Sequence, residues 1–171
     1  MLRPPSIAVL LSLVVRPFES YARSAALLSI GKSAAHAAVR DLEKSGLVDR
    51  VSRDGVAIAR GPVLEFLQFG AAYAYPAEMS ARARGVPTGF SAPGLRDMEF
   101  IDHLPTVWPS HLGDLVGRGI KPLVPAAAEV ALRDAGLYRA LALFDALRLA
   151  DARERSFVRE EMRALIESAP R

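Results

Sequence analysis

The sequence predicts a mainly helical α+β fold: N-terminal helices with one small β-hairpin, then an irregular Pro/Gly-rich layer, then C-terminal helices. Three observations lead there. Apolar residues recur at helical spacing through Ala35, Ala38, Val39 and Leu42 and again through Leu137, Leu141, Phe144 and Leu147, which puts each set on one helix face. Val51, Val56 and Ile58 instead alternate with polar or small residues around Arg53-Asp54-Gly55, and Asp-Gly is a strong hairpin turn signal. From Ala71 to Pro125 the helical period disappears, and this stretch holds seven of the twelve prolines and six glycines.

A chain of 171 residues is long enough to bury a real core. The three kinds of pattern divide it at 1–70, 71–125 and 126–171. The absence of cysteine excludes a disulfide framework and a cysteine-based zinc site and fits a reducing compartment, so a cytoplasmic location is expected. The net charge is +3, unevenly distributed: residues 1–60 hold nine Lys or Arg against five acids, and the remainder thirteen against fourteen. The basic excess therefore lies in the N-terminal segment, as an electrostatic footprint for nucleic acid should, although solubility alone also explains it.

Ile7 to Val15 is apolar except for Ser12. It is far shorter than the roughly 20 residues that span a bilayer, and the prolines around it do not make a secretory cleavage site. A buried first helix is expected, limited by Pro4 and Pro5 and ended by Pro17. Its apolar character on nearly all sides points to the domain core or to a dimer interface. Glu19 to Leu28 predicts a second helix with Glu19 or Ser20 at its cap, Ser29 to Gly31 a turn, and Lys32 to Ser45 a third helix followed by Gly46, where a left-handed conformation suits glycine.

The third helix buries its apolar stripe and leaves Lys32, Ser33, His36, Ala37 and Arg40 on the free face. Such groups, in a line along a helix, meet phosphates and base edges in a major groove; an ordinary amphipathic surface helix has the same pattern. The basic hairpin of residues 49–60 directly after a helix-turn-helix is the arrangement of a wing. Arg50, Arg53 and Arg60 can there contact phosphates, or serve only as solvated charges.

With these residues in place, the segment from Ile7 to Arg60 resembles the winged helix-turn-helix domain of bacterial transcriptional regulators of the MarR type. The strongest likeness lies in Leu28 to Val48: a turn, a serine- and lysine-bearing helix start, then leucine, a polar pair and glycine-leucine-valine. It covers about a third of the chain. The resemblance implies that the third helix enters the major groove, that the wing touches the adjacent minor groove or backbone, and that a dimer binds a two-fold site. Gly31 stands where a capping serine or threonine is common, and Ala34 and Ala37 replace residues that are often Thr and Arg, so shape readout gains importance.

Gly61-Pro62 opens a further helix, Pro62 to Phe69, with Gly70 past its end. In the middle region short strands are expected near Pro105 to Pro109 and Arg118 to Leu123. Arg82 and Arg84 beside Gly85 to Gly89 have the charge to clamp phosphate, but lack the lysine and spacing of a P-loop and read more simply as an exposed loop. His103 and His111, near Asp102 and Asp114, have no metal-site spacing, so no metal is expected. Neither a nucleophile elbow nor a dinucleotide fingerprint occurs, which leaves no catalytic residue or cofactor to expect. Ala126 to Ala135, Leu137 to Ala150 and Ala152 to Ser168 predict the terminal helices, which either pair with a second subunit or close the chain's own core.

The reading that results is a DNA-binding transcriptional regulator, a homodimeric repressor on double-stranded DNA and not an enzyme. Ser33, His36 and Arg40 face base edges and Lys32, Arg50 and Arg53 face phosphates. A small-molecule or protein effector would sit between the winged segment and the irregular layer, and no membrane contact is expected. The alternative is a winged helix used to dock a partner protein, such as a co-encoded enzyme or toxin.

Overall fold

Helix α1 (Pro4–Val15) is the strip on which the N-terminal half is built. A computed structural model describes residues 2–52, 55–95 and 104–170, and in it every residue from Ser6 to Val14 is buried. Pro4 and Pro5 stand inside the first turn, where a missing amide has no helical partner to lose. The Ser12 hydroxyl is satisfied locally by donating to the Val9 carbonyl at 2.7 Å. Helix α3 (Lys32–Lys44) covers one side of α1 and helix α7 (Ala135–Leu149) another, so the chain's own core accounts for an apolar surface on all sides.

Helix α2 (Tyr21–Leu28) starts at Ser20, whose hydroxyl accepts from the Arg23 amide at 3.1 Å. It stops at Ser29, which takes a left-handed φ of 51° while Ile30 N–H reaches back to the Ala25 carbonyl. Helix α3 (Lys32–Lys44) ends in the same hydrogen-bond pattern, with Gly46 at a φ of 69° and Leu47 N–H on the Leu42 carbonyl. Strands β1 (Val48–Arg50) and β2 (Val56–Ile58) follow as an antiparallel pair, Asp49 opposite Ala57. Val48 and Val56 turn inward to the core.

Helix α4 (Arg60–Glu65) runs through a π-helical turn (Phe66–Gly70) into α5 (Ala71–Ala74). The sequence places the end of this helix at Gly70, but Gly70 keeps a negative φ of −108° and the helix passes through it. Tertiary contact holds the turn. Gln68 Nε2 donates to the Arg159 carbonyl at 2.8 Å, and Arg159 Nε donates to the Gln68 carbonyl at 2.9 Å.

The middle region contains an ordered sheet. Strands β3 (Met79–Pro87), β4 (Thr106–Pro109) and β5 (Leu115–Ile120) close on one another: β3 runs antiparallel to both others, and β4 and β5 pair in parallel. The two later strands fall near the short strands the sequence suggests. Strand β3 corrects the loop expected around Arg82 and Arg84. It was illegible because a ring of three strands has almost no interior: a Cβ added to Gly85 would overlap the Trp108 carbonyl, one at Gly113 the Gly85 backbone, and one at Gly117 the Pro105 carbonyl. Backbone packs on backbone there, so apolar alternation never develops.

Helices α6 (Ala127–Arg133), α7 (Ala135–Leu149) and α8 (Glu154–Glu167) complete the chain. The sequence divides the first two at Gly136; that glycine lies instead in the first turn of α7, and the break falls at Asp134. Asp134 accepts from the Leu137 amide at 3.1 Å as the α7 cap and from Arg16 Nε at 2.7 Å. Helix α7 is buried almost all round, from Ala140 through Leu147, packed by α1, α6 and α8. The terminal helices thus close the chain's own core, and one apolar cluster runs from Ile7 to Ala169. The architecture is mixed α and β, with a two-stranded antiparallel sheet and a three-stranded sheet among the described residues.

These contacts set the stability of the fold in ways that substitutions can read. Gly113→Ala should lower the urea midpoint by the equivalent of about 1–3 kcal/mol or prevent folding, because a methyl has no space at the ring closure. Gly61→Ala, where an added Cβ meets nothing within 4 Å inside α4, should be neutral or stabilise by up to about 1 kcal/mol; equal losses for both would exclude ring closure as the cause. Burial pushes the Asp134 carboxyl up, yet hydrogen bonds from Arg16 and from the Leu137 and Gly136 amides outweigh it and hold it below the usual carboxylate range. A depressed folded pKa stabilises above the unfolded value of about 3.9 and is lost as pH falls through the folded value. Asp134→Asn should therefore cost roughly 1 kcal/mol at pH 7, kept small because Arg16 is half-exposed, and the gap to the parent protein should close in acid unfolding curves below about pH 4.

Candidate nucleic-acid interface

The α3 surface is set by which of its sides the core consumes. Ala35, Ala38, Val39 and Leu42 are buried against α1 and α2, which leaves Lys32, Ser33, His36 and Arg40 on the outer side, as their spacing predicts. Lys44 continues the line at the same four-residue step and is exposed too; that spacing is the signal by which it could have been chosen from sequence. Among the described residues neither Lys32 nor Arg40 has an acidic partner. Asp41, on the flank of the same helix, is engaged by Arg3 at 3.3 Å.

His36 stands differently from a free reader of bases. Its ring stacks on Tyr21 of α2, centroids 3.6 Å apart and planes 19° from parallel, and Phe18 meets the other part of Tyr21 edge-on at 5.1 Å. One imidazole face is thus covered. The stack also fixes α3 against α2, a role that sequence spacing does not reveal because Tyr21 reads simply as a packing residue.

Arg50 is brought back onto α3. Its Nε and Nη2 donate to the two Glu43 oxygens at 3.2 Å each. Glu43, then Tyr21, hold the guanidinium proton more firmly, and the hydrogen bond from Arg50 holds the Glu43 carboxyl below its ordinary value. A fork so engaged is already neutralised, so its strength as a phosphate contact is reduced. Arg60, also read as a wing residue, opens α4 and donates to the Ala169 carbonyl near the end of the chain. Arg53 lies outside the described residues, as do His103 and Asp102. Of the remaining candidate metal ligands, His111 is exposed and Asp114 pairs with Arg84, and the described residues contain no cluster of three potential ligands.

A cleft of about 920 Å³ lies where Leu2 to Pro5 meet residues 74–78 and 121–125, between the N-terminal segment and the middle region. Arg148 lines it, its side chain 5% exposed and paired with Asp145. Among the described residues no helix is long and apolar enough to cross a membrane. Comparison with protein-family models, curated proteins and solved structures finds no match to this chain.

The Tyr21–His36 stack should be measurable as a coupling. In a double-mutant cycle of Tyr21→Ala and His36→Ala, the two stability losses should fall short of additivity by about 0.5–1.5 kcal/mol. Additive losses would mean that the rings do not pair in solution.

Proposed function

We propose that residues 1–70 form a winged helix-turn-helix and that the protein is a sequence-specific DNA-binding transcriptional regulator, a homodimeric repressor. The observation that carries this reading is the outer face of α3: Lys32, Ser33 and Arg40 in line, with no acid against either cation among the described residues, on a helix that follows α2 through a tight turn and precedes the β1–β2 hairpin. An α-helix with such a face fits a major groove, where arginine reads guanine and serine and lysine meet phosphates or base edges. His36 contributes through the ring edge that Tyr21 leaves uncovered.

The dimer needs a surface other than α7, which the chain itself encloses. Phe69 and Tyr73 are 55% and 70% exposed, one helical turn apart, with Arg159 lying over the Phe69 ring at 4.6 Å and Arg155 over Tyr73 at 6.0 Å. These ring contacts make the face rich in the residue types that interfaces favour. A small-molecule effector belongs in the 920 Å³ cleft, whose wall includes the start of α1 and so communicates with α3 through packing.

One observation favours the second reading, a winged helix that docks a partner protein. The Arg50–Glu43 pair removes a cation from the hairpin side of the surface. The same experiment separates the two. Fluorescence anisotropy against the duplex upstream of the gene and a scrambled duplex, at two salt concentrations, should show salt-sensitive binding that prefers the native duplex. Lys32→Ala and Arg40→Ala should each reduce the salt slope by about 0.9 for every phosphate that the removed cation neutralises, and Glu43→Gln, by removing the negative charge paired with Arg50, should raise it. No binding to either duplex at low salt would overturn the regulator and favour the docking module.

A further inference from the structure

The register of the three-stranded sheet sets two arginines against each other. Arg82 on β3 and Arg118 on β5 are directly opposed in an antiparallel pair, where opposed side chains share a face with Cβ atoms about 5 Å apart and like charges repel. Both are exposed, and among the described residues neither has an acidic partner. Their neighbours differ: Arg84 pairs with Asp114, and Lys121 pairs with Glu78 at 2.8 Å. The cations on either side along these strands are neutralised, and the two that face each other are not.

A bulge between Ser80 and Arg82 shifts the register beside this pair, and a bulge bends its strand. Ser80, Arg82, Arg118, Leu104 and Gly117 line a small cleft of about 110 Å³, several times the roughly 30 Å³ share of a water molecule and enough for a tetrahedral oxyanion. Gly117 leaves its wall without a side chain, because ring closure against Pro105 allows none there. We propose that Arg82 and Arg118 form a binding site for a phosphoryl group. Two guanidinium forks match phosphate oxygens in geometry. A phosphate monoester dianion balances both charges, as do two successive monoanionic phosphodiesters of a nucleic-acid backbone, whereas a single carboxylate would leave one opposed.

The phosphoryl group comes either from a nucleic-acid backbone or from a free phosphate ester, and the site stands whether or not α3 binds DNA. The test uses the full-length protein and its Arg82→Gln/Arg118→Gln variant, with pyrophosphate titrated calorimetrically and a duplex of about two helical turns by anisotropy at several salt concentrations. The parent protein should bind pyrophosphate and gain thermal stability from it. The variant, relieved of the repulsion, should melt no lower than the parent and bind pyrophosphate at least about tenfold more weakly, while Arg84→Gln, whose parent side chain is already paired, should leave pyrophosphate binding unchanged. If the variant's duplex salt slope also falls by about two, the backbone supplies the phosphoryl group; if only pyrophosphate binding falls, a free ester does. A parent that binds pyrophosphate but no duplex removes the regulator reading and leaves this site intact. A parent that binds no pyrophosphate, or a folded variant that binds it as tightly as the parent, overturns the site.

Discussion

Asp145 is the constraint on which the two layers of this protein depend. It sits in the middle of α7 with 1% of its surface exposed, and it accepts hydrogen bonds from Trp108 Nε1 at 2.7 Å and Thr88 Oγ1 at 2.8 Å as well as from Arg148. Burial pushes its carboxyl up, and Arg148, Thr88 and Trp108 oppose that shift. A buried carboxylate is tolerated only when paired and hydrogen-bonded, and removing one partner of a buried pair typically costs about 3–5 kcal/mol. Because Trp108 belongs to β4 and Thr88 follows β3, the carboxylate requires the sheet to dock on α7. Tyr138 adds a bond from its hydroxyl to the Pro87 carbonyl at 2.6 Å, and burial raises its pKa to about 12.

This requirement is reciprocal. The three-stranded ring has glycines where a small sheet would otherwise place a core, so it buries little apolar surface within itself; Val86, Trp108 and Ile120 join the apolar cluster of the helices instead. The sheet's outward side chains are therefore free of packing duties. Its long polar strand β3 is almost wholly exposed over its first six residues, which is where the arginines lie. A similar separation operates on α3. Its alanines and Leu42 satisfy α1 and α2, and the small size of Ala35 and Ala38 lets those helices approach closely, so the cationic face carries no structural obligation beyond the His36 stack.

The helices with a single clear apolar stripe, α2, α3 and α8, were legible to within a residue or two, since periodic burial is recorded directly in the order of side chains. The hairpin was legible from Val56 and Ile58 beside a glycine-containing turn, but Val51, read with them, lies past the end of β1 and is exposed, and Val48 supplies the inward residue of that strand. The errors lie where backbone geometry outranks side-chain type. Gly70 and Gly136 read as breaks and are inside helices, because packing by α8 at Gln68 and by the Asp134 cap decides where each helix runs. Strand β3 read as a loop because the ring it closes uses glycine and backbone in place of apolar alternation.

Of the candidate surface, the sequence by itself determined the cationic face of α3: once Ala35, Ala38, Val39 and Leu42 are buried, a period of 3.6 residues leaves Lys32, Ser33, His36 and Arg40 outside. Only the tertiary structure decided which of those groups are free. It placed Tyr21 under His36 and Glu43 against Arg50, and it set Arg82 opposite Arg118 across strands far apart in the chain. Helical periodicity is local and therefore written in consecutive residues. Pairing between strands and between charges depends on register and docking, which the whole core must first fix.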